Sequence, residues 1–298
     1  MSTALVLGGG GVAGIAWELG FLKGLAECGV HIANANLVVG TSAGACVGAQ
    51  ITSSTTIDAL YDLQLDPVAS AKERAVEFDM AQLMAIFQEL QNAASGDQKT
   101  AVLARVGALA LAAPTLSESE RLGIIESRLP SLDWPNRALL LTAVDAHTGE
   151  FVVFNSKSGV SLIDAVAASC AVPGVWPPVT IGARRYIDGG VRSSISADLA
   201  AGSSKVLIIA PSAYASTQVD DEKHELESKG TQVLVIRPDK ASVEAFGLNP
   251  LDPATRTPSA IAGRDQGTAQ AESVGSFWNR LVDYAVTPMF MTKGASVY

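Results

Sequence analysis

The segment Leu37-Val38-Val39-Gly40-Thr41-Ser42-Ala43-Gly44-Ala45 admits few folds. Its apolar run reads as a buried strand, and the small residues after it suit a helix packed closely on that strand. Between the two, the spacing Gly40-x-Ser42-x-Gly44 predicts a sharp turn that lifts a serine above the sheet edge. Glycines two before and two after the serine let neighbouring backbone pass without a Cβ clash. The string by itself is common, so its meaning depends on what the rest of the chain brings to it.

The first brings a glycine loop. Ala4 to Leu7 reads as a core strand and runs into Gly8-Gly9-Gly10-Gly11. A helix follows over Val12 to Glu27, with residues 15, 19, 22 and 26 on one apolar face. Backbone N–H groups at the positive end of such a helix bind anions. Two chemistries use that geometry. Gly9-x-Gly11-x-x-Gly14 matches the dinucleotide fingerprint, which expects an acidic residue at the end of the second strand. No Asp or Glu lies between Gly29 and Gly44. The better reading is an oxyanion hole built on Gly9, Gly10 and Gly11, aimed at the negative oxygen of an acyl transition state.

Composition narrows the partners. The chain has 298 residues, 48% hydrophobic and 6% aromatic, which suits small-residue helices packed on a sheet. A net charge of −9 argues against nucleic-acid binding, whose footprint is basic. Cys28, Cys46 and Cys170 have neither metal-ligand nor disulfide-framework spacing. They read as small buried hydrophobes in a reducing compartment. The N-terminus reads as a strand rather than a signal peptide, and no apolar run is long enough for a membrane span. The expectation is a cytoplasmic protein, attached to membranes at most peripherally.

The rest of the chain alternates strands and helices. Residues 55–130 read as a helical insertion over the elbow. Elements begin at Ile57, Met80 and Lys99, with a mobile turn at Ala93 to Asp97 and a fourth helix N-capped by Ser117. Ala138 to Asp145 is a buried strand with a hairpin partner at Phe151 to Phe154. Leu162 to Cys170 is a short helix. A second hairpin, Val179 to Ile181 with Arg184 to Ile187, delivers Asp188-Gly189-Gly190. Lys205 to Ala210 and Gln232 to Ile236 are further strands, and Asp220 to Glu225 between them is a solvated charge run. A long helix from Pro258 to Tyr284 lies in a helical C-terminal region, 255–298. No repeat or boundary divides the chain, so 1–298 is expected to be one α/β domain with a mostly parallel sheet.

A serine needs a neighbour to take its proton. His31 follows the first helix at the end away from the elbow, and His147 sits in a hairpin turn. His224 has the right chain order for a triad but falls in the charge run. Asp188, freed by Gly189 and Gly190 to turn sharply, is the better base.

Together these residues resemble the patatin-like phospholipases. The order G-G-G-x-x-G, G-T-S-A-G, D-G-G carries the resemblance, with Ser169-Cys170-Ala171-Val172-Pro173, Trp176-Pro177-Pro178 and the D-x-x-T-G-E hairpin Asp145 to Glu150. It runs from about Leu5 to Asp198. The resemblance implies a three-layer α/β/α sandwich and a Ser–Asp dyad acting on lipid acyl esters, without metal or cofactor. Ser42 is then the nucleophile, Asp188 the base, and Gly9, Gly10 and Gly11 the oxyanion hole. Gly14, Gly40, Gly44, Gly189 and Gly190 support these motifs. The chain departs from the pattern at Ala13, where the family carries Arg or Lys, and at Val191 to Ile195 after the aspartate. Arg192 there reads as a surface residue. Loss of the cation at Ala13 motivates an alternative, a lipid- or acyl-binding protein with little turnover.

Overall fold

The computed structural model describes residues 2–75, 85, 88–89, 96–212 and 217–279. Eight strands form one sheet in the order β5-β6-β3-β2-β1-β7-β8, with β4 also paired to β3. They are β1 (Thr3–Leu7), β2 (Leu37–Gly40), β3 (Ala138–Asp145), β4 (Phe151–Phe154), β5 (Val179–Ile181), β6 (Arg184–Asp188), β7 (Lys205–Ile209) and β8 (Gln232–Ile236). The five strands β3, β2, β1, β7 and β8 run parallel, and the two hairpins add antiparallel strands at one side. This is the mostly parallel α/β class that the alternation of elements predicts.

The strands are apolar on both faces because helices cover both faces. In β1, Leu5 and Leu7 join the larger core, while Ala4 and Val6 join the core on the opposite face. The larger core is covered by α1 (Gly11–Glu27), α2 (Ala43–Ile51), α7 (Leu162–Ser169), α9 (Lys240–Phe246) and the long α10 (Arg256–Asn279). On the other face, Val219 and Leu226 of α8 (Thr217–Ser228) pack against Val206 and Ile208.

The insertion contributes α3 (Ile57–Leu65), the single turn α4 (Pro67–Ser70), α5 (Asp97–Ala112) and α6 (Glu118–Arg128) among the described residues. Ser117 caps α6 in a capping box: its hydroxyl accepts the Glu120 N–H at 3.2 Å, and the Glu120 carboxylate accepts the Ser117 N–H at 3.1 Å. The helix expected over Met80 to Leu90, most of the turn at Ala93 to Asp97 and the end of the last helix beyond Asn279 lie outside the described residues. The last helix begins at Arg256, two residues before the expected start, since Pro258 is tolerated in a first turn.

Three expectations need correction. Cys28 is exposed, because it follows the last turn of α1 at the surface; Cys46 and Cys170 are buried. The charge run is not wholly solvated: Glu222 turns inward, accepting the Ser193 hydroxyl and the Ala197 N–H. Arg192 is not simply a surface residue. It forms two hydrogen bonds of 2.8 and 2.7 Å to Asp198 and stacks 4.2 Å from the centre of the Phe151 ring.

Candidate active site

The parallel register brings the ends of β1 and β2 together, Leu7 beside Gly40. Beyond Gly40 the chain turns into α2 through Ser42, which has φ 55° and ψ −114°. Ser42 is one of two described residues other than glycine with positive φ, a conformation that costs on the order of 1–3 kcal/mol. Local contacts hold it. The Ser42 N–H donates to Ser169 Oγ at 3.0 Å, and the Cys170 thiol donates to the Ser42 carbonyl at 3.1 Å. Gly44 lies so close to β1 that a Cβ there would stand 2.1 Å from the Leu7 carbonyl oxygen. Gly40 in turn packs against the Gly44 carbonyl. The glycine spacing thus reflects the close approach of strand and helix.

Asp188 arrives from the other side. It ends β6 opposite Ala143 of β3, and its N–H donates to the Ala171 carbonyl at 3.0 Å. Gly189 then passes over Thr142, where a Cβ would lie 2.3 Å from the threonine hydroxyl oxygen. That threonine shares a 2.8 Å hydrogen bond with Thr41, next to Ser42. The fold thereby brings Asp188 near enough to Ser42 for the serine hydroxyl to bear on the carboxyl's titration. Gly190 donates its N–H to the same carboxylate at 2.7 Å. Asp188 is 4% exposed, and burial raises its pKa from 3.8 to about 7. The Ser42 hydroxyl, the Gly190 N–H and the charge of Arg121 oppose that rise. All three histidines are exposed.

The glycine loop differs from expectation at one position. The Gly9 N–H already donates to the Ser194 carbonyl at 2.8 Å, which removes it from the expected set of three donors. Among the described residues the N–H groups of Gly10 and Gly11 have no partner. Gly11, at φ +66°, opens α1, and Gly14 sits one turn in, beside Ala43. Glu18 braces the loop from within α1 by accepting the Gly8 N–H at 3.1 Å, and burial pushes its pKa well up.

Ser42 lies at a small pocket whose walls include Gly11, Val12, Ile15, Trp176 and Leu251. The insertion reaches this cavity with two arginines, Arg121 and Arg128, from one face of α6. The apolar face of α5 packs as ordinary core against Val144, Ile187 and Val191. Arg128 is tied to Glu73 by hydrogen bonds of 2.9 and 2.6 Å. Arg121 is 3% exposed and lies 3.7 Å above the Trp176 ring. Sequence reasoning missed both, because arginines in a helix with acidic neighbours look solvated. Among the described residues no cluster of His, Cys, Asp and Glu could hold a metal ion. No described helix is long and apolar enough to cross a membrane.

Residues 5–201 match the family model described as patatin-like phospholipase. No curated protein matches the chain in sequence. Among solved structures, VipD from Legionella pneumophila is 13% identical with a TM-score of 0.44, covering 91% of this chain and 66% of that one. The type III effector protein ExoU is 16% identical with a TM-score of 0.40, covering 92% and 53%. ExoU in complex with SpcU, from the type III secretion system of Pseudomonas aeruginosa, is 16% identical with a TM-score of 0.38, covering 91% and 53%. The chain therefore spans between about half and two thirds of these structures.

Proposed function

The chain belongs to the patatin-like phospholipase family, and from that premise we propose that it is a serine acyl hydrolase of lipid esters using Ser42 and Asp188. One observation carries the reading: Ser42, on a strained turn, shares its site with a buried Asp188 whose pKa burial raises to about 7 and the serine hydroxyl holds back. A base titrating near the working pH can both take and return a proton.

In this reading Ser42 Oγ attacks the ester carbonyl carbon while its proton passes to Asp188. The carbonyl oxygen becomes an oxyanion facing the Gly10 and Gly11 N–H groups at the start of α1. Collapse breaks the C–O bond, and Asp188 returns the proton to the departing alcohol. Water then attacks the acyl-Ser42 ester, giving a proton to Asp188. The second collapse releases the fatty acid and restores the Ser42 hydroxyl with that proton. Activity should rise with pH through about 7 as Asp188 ionises.

A chromogenic acyl ester tests the reading with the parent protein, Ser42→Ala and Asp188→Asn. Undiminished turnover in both variants would refute it. The alternative, an acyl-binding protein with little turnover, is favoured by one residue, Ala13, whose methyl group stands where the family carries a cation. A serine-reactive fluorophosphonate separates the two. Stoichiometric labelling at Ser42 supports the hydrolase, whereas fatty-acid binding without labelling supports the binding protein.

A further inference from the structure

The two arginines on α6 differ in one respect. Arg128 has Glu73, and both side chains are 8% exposed. Arg121 has no hydrogen-bond partner among the described residues, and its Nε and Nη1 are fully buried. Burying an unpaired guanidinium is costly, and such groups are normally paired. The nearby carboxylates are engaged elsewhere. Glu73 holds Arg128, and Asp188 accepts the Gly190 N–H. The guanidinium face is covered by Trp176, so any partner of its unmatched donors must lie in the guanidinium plane. Arg121 and Ser42 line the same cavity.

We propose that Arg121 is the anion-recognition residue of this cavity, receiving a phosphate-type oxyanion that the lipid substrate carries close to its scissile ester. The proposal rests on the acyl-hydrolase reading of Ser42. A guanidinium edge suits such a group because its parallel N–H donors match two oxygens of one anion. The cation absent at position 13 is then supplied from the insertion.

The test compares two esters of one acyl chain, 1-acylglycerol 3-phosphate and the neutral 1-acylglycerol, at pH 8.5, where Asp188 is ionised. The ratio of their kcat/KM values should fall about 10- to 100-fold in Arg121→Met and less in Arg121→Lys. The Arg121→Met protein should melt no lower than the parent, because it loses a buried charge without a hydrogen-bond partner among the described residues. A ratio that stays constant while Ser42→Ala abolishes both hydrolyses overturns this proposal and leaves the hydrolase reading standing. If the parent cleaves neither ester, the hydrolase reading fails, and binding decides the subsite separately. By calorimetry dodecyl phosphate should then bind the parent at least tenfold more tightly than Arg121→Met; equal affinity overturns the proposal. Inorganic phosphate distinguishes the source of the anion. Weak competition supports a lipid-borne phosphate, and competition as strong as that of dodecyl phosphate overturns it in favour of a free-anion site.

Discussion

The helix α1 uses glycine in two opposite ways at its two ends. Along its length Gly20 and Gly24 face α10, where an added Cβ would lie 2.1 Å from the carbonyl oxygens of Ala260 and Arg264. Gly263 and Gly267 of α10 answer from the other side, against the carbonyls of Trp17 and Phe21. At this seam glycine closes space. At the N-terminus of α1, Gly10 and Gly11 instead leave N–H groups without partners among the described residues, beside a cavity. The same contrast holds for charge on α6, where Arg128 is paired and Arg121 has no hydrogen-bond partner among the described residues. Satisfied groups hold the fold together. The open Gly11 N–H, the strained Ser42 and Arg121 line one pocket.

The comparison can be broken most sharply at the site. Ser42→Ala and Asp188→Asn should each lower turnover of an acyl ester on the order of 10,000-fold, while circular dichroism shows the native fold. A variant that loses activity only because it unfolds would erase the distinction between site and scaffold. Next comes the paired arginine. Glu73→Ala leaves Arg128 charged and buried, and should cost about 3–5 kcal/mol in urea unfolding. The double variant Glu73→Leu with Arg128→Met should recover most of that loss.

A subtler difference lies in pH. The folded pKa of Asp188, about 7, is above its ordinary value of 3.8. The folded state therefore binds the proton more tightly between those values. The stability this group adds is fully present below about 3.8 and is lost as pH rises through 7. Relative to the parent, Asp188→Asn should gain stability as pH rises from 4 to 8, by a few kcal/mol at most (~3). Melting curves at the two pH values read this directly, and parallel pH profiles would contradict it. The smallest effect belongs to the seam. Gly24→Ala should destabilise by about 1–3 kcal/mol, with kcat/KM on a neutral ester unchanged once the protein is folded.

Much of this arrangement was legible from local pattern. The apolar runs at Leu37 to Val39 and Lys205 to Ile209 are strands because backbone period and burial act within a few residues. The capping box at Ser117 is equally local. The glycines around Ser42 and after Asp188 mark close backbone approaches, and such approaches leave a trace in the residue type itself.

Other features depended on which distant segments meet. The Gly9 N–H is taken by Ser194, 185 residues away, so the number of open donors in the loop follows from the path of the chain after β6. Arg121 and Arg128 are seven residues apart on one helix face and read alike in sequence. Only the packing gives one a carboxylate and the other an aromatic ring beside the serine. The sequence alone determined the strand–turn–helix units and the residue types at their ends, because these are short-range steric and hydrophobic constraints. The tertiary structure decided which backbone donors stay open and which charge stays unpaired. Hydrogen-bond satisfaction in a buried site depends on groups that only the completed fold brings within 3 Å.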